Sequence, residues 1–152
     1  MRTRRFAAVS LLSVVLACAA SDVAVVVRQD TPINNLTFAE ARKLLMGDRQ
    51  YWSSNLRVVL LIHAPSARER QVVLKTMYGM SEAQFRQYWI SKVFRLEATT
   101  GPKIVFSNEM AIELVGAIPG AVGFVDAASV PKDLKVLKID GLLPGEKGYR
   151  LR

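Results

Sequence analysis

Leu56-Arg57-Val58-Val59-Leu60-Leu61-Ile62-His63-Ala64-Pro65-Ser66-Ala67-Arg68-Glu69 is the stretch on which the fold turns. Residues 58–62 carry no polar interruption, so 56–62 reads as a strand buried on both faces of a sheet. His63-Ala64-Pro65 ends it. Ser66 and Glu69 then stand at the spacing of a capping box, in which hydroxyl and carboxylate satisfy each other's orphan amides, and a helix is expected from Ser66. Val73, Leu74 and Met77 form its inner face and Gly79 its stop. A buried strand that passes through a short turn into a helix is the repeating unit of a layered α/β sheet.

The flanks repeat this grammar. Residues 23–27 are a run of valine and alanine and read as a second buried strand, broken by Asp30-Thr31-Pro32. Thr37 and Glu40 form another capping box, opening a helix that Gly47 terminates, and Ser81 and Gln84 form a third. The helix after Ser81 spaces Phe85, Trp89 and Val93 by four. A short strand at 103–106 follows, then a helix capped by Ser107 or Asn108 with Ala111, Leu114, Val115 and Ile118 inward. Next come a Pro119-Gly120 turn and a strand at 121–125, with Gly120 and Gly123 marking close backbone approach. Residues 134–139 alternate as an edge strand, and the Gly-rich, charged stretch 141–152 reads as a loose C-terminal tail. Strands alternating with helices predict one α/β domain over 21–140, its mixed, mostly parallel sheet flanked by helices.

The first twenty residues read differently. Arg2, Arg4 and Arg5 precede fifteen uncharged residues that end in Ala17-Cys18-Ala19-Ala20, the three parts of a secretory signal. That apolar run is shorter than the roughly 20 residues a spanning helix needs, which favours a cleaved signal over a retained anchor. The expected location is the periplasm. Val15-Leu16-Ala17-Cys18 also resembles a lipobox, so lipid anchoring at Cys18 is the second reading. The full chain carries +8; without those three arginines, eighteen basic residues face thirteen acidic ones, a balance of +5. That suits an anion-attracting surface. Nothing resembles a nucleic-acid motif. Cys18 is the only cysteine, so removal of the signal leaves no disulfide or thiol chemistry.

Candidate chemistry gathers at the end of the 56–62 strand. In open α/β sheets ligands bind beyond the carboxyl ends of the strands, and a helix start offers free amides and a positive dipole end to an anion. His63 sits at the strand end, Ser66 offers a hydroxyl and Arg68 adds charge in the first turn. The plainer reading makes Ser66 a cap only, with Arg68 and Arg70 solvated. One His and one Ser three residues apart make no triad, and one His leaves no metal set, so neither an enzyme nor a cofactor is expected. Asp126 and Asp133 read as turn residues, and Trp52 and Trp89 as core anchors.

Three segments carry a family likeness. The capping box with Met46-Gly47 and Trp52 resembles a helix, Phe-Gly, Trp segment of the phosphate-binding proteins of ABC transporters. The 57–62 strand followed by Ser66 resembles their anion-binding turn. Ile118-Pro119-Gly120-Ala121-Val122-Gly123-Phe124-Val125-Asp126, downstream of Gln87-Tyr88-Trp89, resembles their Pro-Gly-Ala-Ile-Gly-Tyr signature. The likeness covers roughly residues 23–139. It implies one lobe of a type II periplasmic-binding-protein fold, since some 130 mature residues match one lobe rather than two. It also implies a binding role without catalysis, with phosphate or another small oxyanion at His63, Ser66, Ala67 and Arg68. Ala67 stands where the family has Gly, Arg68 where it has Thr, and His63 or Ile62 where it has Arg. Expected partners are a transporter permease or another envelope protein, or a second copy in a homodimer. The alternative function is an envelope interaction module that keeps the fold without the ligand.

Overall fold

The computed structural model describes residues 20–152, so the expected signal at 1–20, with Cys18, lies outside the described residues except for Ala20. Among the described residues no helix is long and apolar enough to cross a membrane.

A five-stranded sheet is built from β1 (Val23–Arg28), β5 (Val59–His63), β6 (Lys103–Val105), β7 (Ala121–Asp126) and β8 (Leu134–Val136), in the order β6-β5-β7-β1-β8. β5 lies parallel to both β6 and β7. β1 runs antiparallel to β7, pairing Val23 with Asp126 and Val27 with Val122, and antiparallel to β8. Four strands therefore point one way and β1 runs against them, the expected mixed, mostly parallel sheet.

Side-chain alternation along the strands separates two cores. Val23, Val25 and Val27 of β1 face α1 (Phe38–Leu45), α2 (Arg68–Val73), a π-helical turn (Leu74–Tyr78) and α3 (Glu82–Phe94). Ala24 and Val26 face α4 (Asn108–Ala117) through Ala111 and Val115. Both glycines marked for close approach serve it. A Cβ on Gly123 would lie 2.9 Å from Val115 Cγ2, so its absence lets α4 settle on β7. Gly120, at φ +77, turns the chain so tightly that its Cβ would lie 1.9 Å from the Arg57 carbonyl oxygen.

Four local expectations change. The 56–62 strand breaks at Val58, whose N–H donates to Gln50 O; β4 (Leu56–Arg57) pairs with β3 (Tyr51–Ser53) in a separate ribbon. The helix expected from Ser66 begins at Arg68. Residues 134–139 split at Leu137, whose N–H reaches Val25 O. β8 then stays in the main sheet while β9 (Lys138–Ile139) pairs with β2 (Asn35–Leu36). The C-terminal stretch is not loose: Tyr149 and Leu151 are buried, Tyr149 Oη donates to Val23 O at 2.6 Å, and Val23 N donates to Leu151 O at 2.8 Å. Burying two large apolar side chains outweighs the conformational freedom that the Gly-rich composition suggested.

Candidate functional site

The carboxyl ends of β5, β6 and β7 and the start of β1 meet at one edge of the sheet, and His63, Ser66, Ala67 and Arg68 lie there. Ala67 N donates to Ala64 O and Ser66 takes φ +76, the hydrogen bond and positive third-residue φ of a type II turn with Pro65 at its second position. That turn consumes the serine. A helix cap needs extended backbone. Ser66 is instead left-handed and exposed, and Ala67 caps α2 with no side-chain bond. Glu69, freed from the expected box, accepts from Asn108 Nδ2 at 3.1 Å.

From Glu69 a polar chain crosses the strand ends. Asn108 Oδ1 accepts from Asp126 N at 3.2 Å, Asp126 Oδ1 accepts from the Ser21 hydroxyl and from Ala128 N, and Ser21 O accepts from Arg68 Nη2. Among the described residues this polar chain thus carries one cation, the half-buried Arg68, and two carboxylates, Glu69 and Asp126. Arg70, read above as solvated, is buried. Its Nε and Nη2 each donate to the Glu82 carboxylate at 2.7 Å, its Nη1 donates to His63 O at 2.9 Å, and its guanidinium lies 4.9 Å from the Phe85 ring centre. Arg70 holds the Glu82 carboxyl below its usual range. It props the strand end from behind and offers nothing to a ligand.

His63 is 97% buried, its relative exposure being 3%. Neither ring nitrogen has a hydrogen-bond partner among the described residues, and Arg68 Nη1 is likewise buried without one. Burial pushes the His63 pKa down, against the opposing pull of the Glu69 carboxylate and the Asn108 side chain. The ring is therefore neutral at pH 7. Because the unfolded chain binds this proton more readily than the folded one, stability is complete above the unfolded value near 6.5 and falls as pH drops below it. Thermal midpoints measured from pH 7 to pH 5 should slope downward, and His63→Gln should flatten that slope; an unchanged slope would place the acid sensitivity elsewhere.

His63 and Arg68 drew attention in the sequence because they flank a strand end. Asn108, Asp126 and Ser21 did not, since they come from three distant points of the chain. Only the turn-type reading of Asp126 and the cap reading at 107–108 pointed near them. Among the described residues no group of His, Cys, Asp and Glu stands close enough to hold a metal ion.

No family model and no curated protein sequence matches the chain. Solved structures do. A protein from Clostridium perfringens, assigned as a phosphate ABC transporter substrate-binding protein and holding phosphate, superposes with a TM-score of 0.66 at 16% identity, over 81% of this chain and 46% of its own. An ABC-type phosphate transport receptor from Vibrio cholerae gives 0.65 at 22%, over 82% and 48%. PstS from Borrelia burgdorferi gives 0.64 at 19%, over 82% and 49%. The fold is that of one lobe of a phosphate-binding protein. The chain spans about half the length of these binding proteins, and its strand-end edge is the place where open α/β sheets take ligands. At these identities the lobe's fold is shared while its side chains are this chain's own.

Proposed function

We propose that the chain is an exported solute-binding protein of the phosphate-transporter type, taking a small oxyanion weakly at His63, Ser66, Ala67 and Arg68. One observation carries this reading: among the described residues both ring nitrogens of His63 and Nη1 of Arg68 are buried without partners, and His63 ends β5 and Arg68 follows it in a fold shared with phosphate-binding proteins. Buried polar groups without partners are costly, and phosphate, which both accepts and donates hydrogen bonds, can satisfy the N–H and the lone pair of the neutral His63 ring and an Arg68 N–H at once. Two features keep the affinity low. Glu69 and Asp126 stand in the same polar chain and oppose a negative ligand, and Ser66 is exposed to water, where its contacts gain little. A transporter permease would be its partner in the envelope.

Calorimetric titration with phosphate, in low salt free of other oxyanions, tests this. One-site binding with a Kd of about 1 mM is expected, about −4 kcal/mol. It should vanish in the Ser66→Ala, Arg68→Ala double variant. Binding that survives that variant, or none up to about 10 mM, overturns the site. The second reading then stands, an envelope protein that keeps the fold and holds another protein. It is favoured by α3, which turns Ile90 and Phe94, 63% and 86% exposed, to solvent one turn apart.

A further inference from the structure

The opposite pole of the sheet carries a second concave site. It lies where the chain enters β5 and β6 rather than where it leaves them. A cavity of about 260 Å³ opens there between the end of α1, the start of β5 and the loop from α3 into β6. Val58, just before β5, and Val59 and Leu60 within it are only half-buried, although the rest of β5, Leu61 to His63, is buried. An interior strand of a parallel sheet is normally covered along its whole length. Here the first half of β5 forms the wall of the cavity instead.

The lining is one-sided in charge. Arg49, Arg57 and Lys103 line the cavity, and among the described residues no carboxylate does. None of the three is in an ion pair among the described residues. The nearby acids are already engaged, Asp48 by Lys92 at 2.6 Å and Glu97 by Arg95 at 2.8 Å. Arg57 is aimed by a 2.9 Å hydrogen bond to Thr99 Oγ1, and Arg49 is anchored by donating to Tyr51 O. The lining also includes the apolar residues Leu44, Val58, Val59, Leu60 and Trp89. The indole is held from two sides: a Cβ on Gly47 would meet Trp89 Cη2 at 2.9 Å, and one on Gly101 would lie 3.7 Å from Trp89 Cβ. Gln50 Nε2 ties the two rims together, donating to Gly47 O at 3.2 Å and Glu97 O at 2.7 Å. The cavity is thus built before any ligand arrives, which lowers the ordering cost of binding.

We infer that this pole is a binding site for a small organic anion with a flat apolar body, such as an aromatic carboxylate. The carboxylate would meet Arg57 and Lys103, and the ring would lie against Trp89 and Leu60. Inorganic phosphate has no apolar body to use that wall. The inference is independent of the oxyanion reading at His63, since the two sites lie at opposite ends of β5.

The test is calorimetric titration of the purified chain with 2-naphthoate and, separately, with its neutral amide. Saturable binding of the acid is expected, with the amide at least about tenfold weaker. Arg57→Ala with Lys103→Ala should weaken the acid by at least about tenfold. Gly101→Leu, which places a side chain over Trp89 without changing charge, should abolish binding, while Arg68→Ala at the other pole should leave it unchanged. A circular-dichroism melt like the parent's confirms that each variant folds. Equal affinity for acid and amide, no saturable binding, or binding indifferent to both the charge and the glycine variants overturns the site.

Discussion

Gly120→Ala is expected to lower the unfolding free energy by about 4 kcal/mol, combining roughly 1–2 for a left-handed alanine with 1–3 for overpacking. The reason is positional. Gly120 sits at φ +77, and its added Cβ would stand 1.9 Å from the Arg57 carbonyl oxygen, a backbone atom that moves only if β4 moves with it. The same residue's carbonyl accepts from Trp52 Nε1 at 2.9 Å and from Val59 N at 3.0 Å. Displacing it therefore loosens the entry to β5 and the seat of a buried tryptophan together. For a domain of this size the thermal midpoint should fall by about 15 °C. Gly116→Ala is the control. It lies in α4 with nothing within 4 Å of its Cβ position, so a stabilisation of up to about 1 kcal/mol is expected. A loss below about 1 kcal/mol at Gly120, by denaturant titration, would show that the turn does not hold β4 and β5 in register.

Arg70→Ala should cost about 3 kcal/mol, near the low end for breaking a buried ion pair. Its partner Glu82 is 41% exposed on its side chain and can turn to water, which discounts the charge interaction itself. Most of the loss comes from the His63 carbonyl left without its donor, from the uncovered face of Phe85 and from the space the side chain vacates. Arg70→Lys should recover little, because one ammonium cannot bond both Glu82 oxygens and the His63 carbonyl in a single plane. The pH dependence separates the parts. Arg70 lowers the Glu82 pKa, so this pair's contribution is present above the ordinary carboxylate value near 4.5 and is lost as pH falls below it. Arg70→Ala should flatten that acid limb. If Arg70→Ala leaves stability within about 0.5 kcal/mol of the parent, the guanidinium is not what props the strand end.

The residues that could be read correctly in advance share one property: their partners are close in sequence. The Thr37–Glu40 and Ser81–Gln84 boxes form as expected, each hydroxyl accepting from the backbone N–H three residues on. Ser66–Glu69 carries the same pattern and forms no box. Pro65 sits in the second position of a turn that forces φ +76 on Ser66, and Asn108, thirty-nine residues from Glu69, offers the carboxylate a different donor. At the candidate site, the position of His63 and Arg68 at a strand end could be read locally. The Glu69–Asn108–Asp126–Ser21–Arg68 chain could not, because no local pattern links Ser21 to Asp126 across 105 residues. Arg70 looked solvated for the same reason, its carboxylate partner standing twelve positions later in another helix.

By itself the sequence determined the alternation of strands and helices, the burial of the 23–27 run and of Leu61 and Ile62, and the two glycines that permit close approach after Pro119. Hydrophobic period, local capping and the absence of a Cβ are properties a short segment carries with it. Only the tertiary structure decided where the strands break, that β1 runs against its four neighbours, and that the C-terminal Tyr149 and Leu151 dock beneath β1. It also decided that carboxylates share the edge with His63 and Arg68, while three cations in no ion pair among the described residues collect at the other pole. Those outcomes depend on which distant groups compete for the same hydrogen bonds and the same buried volume.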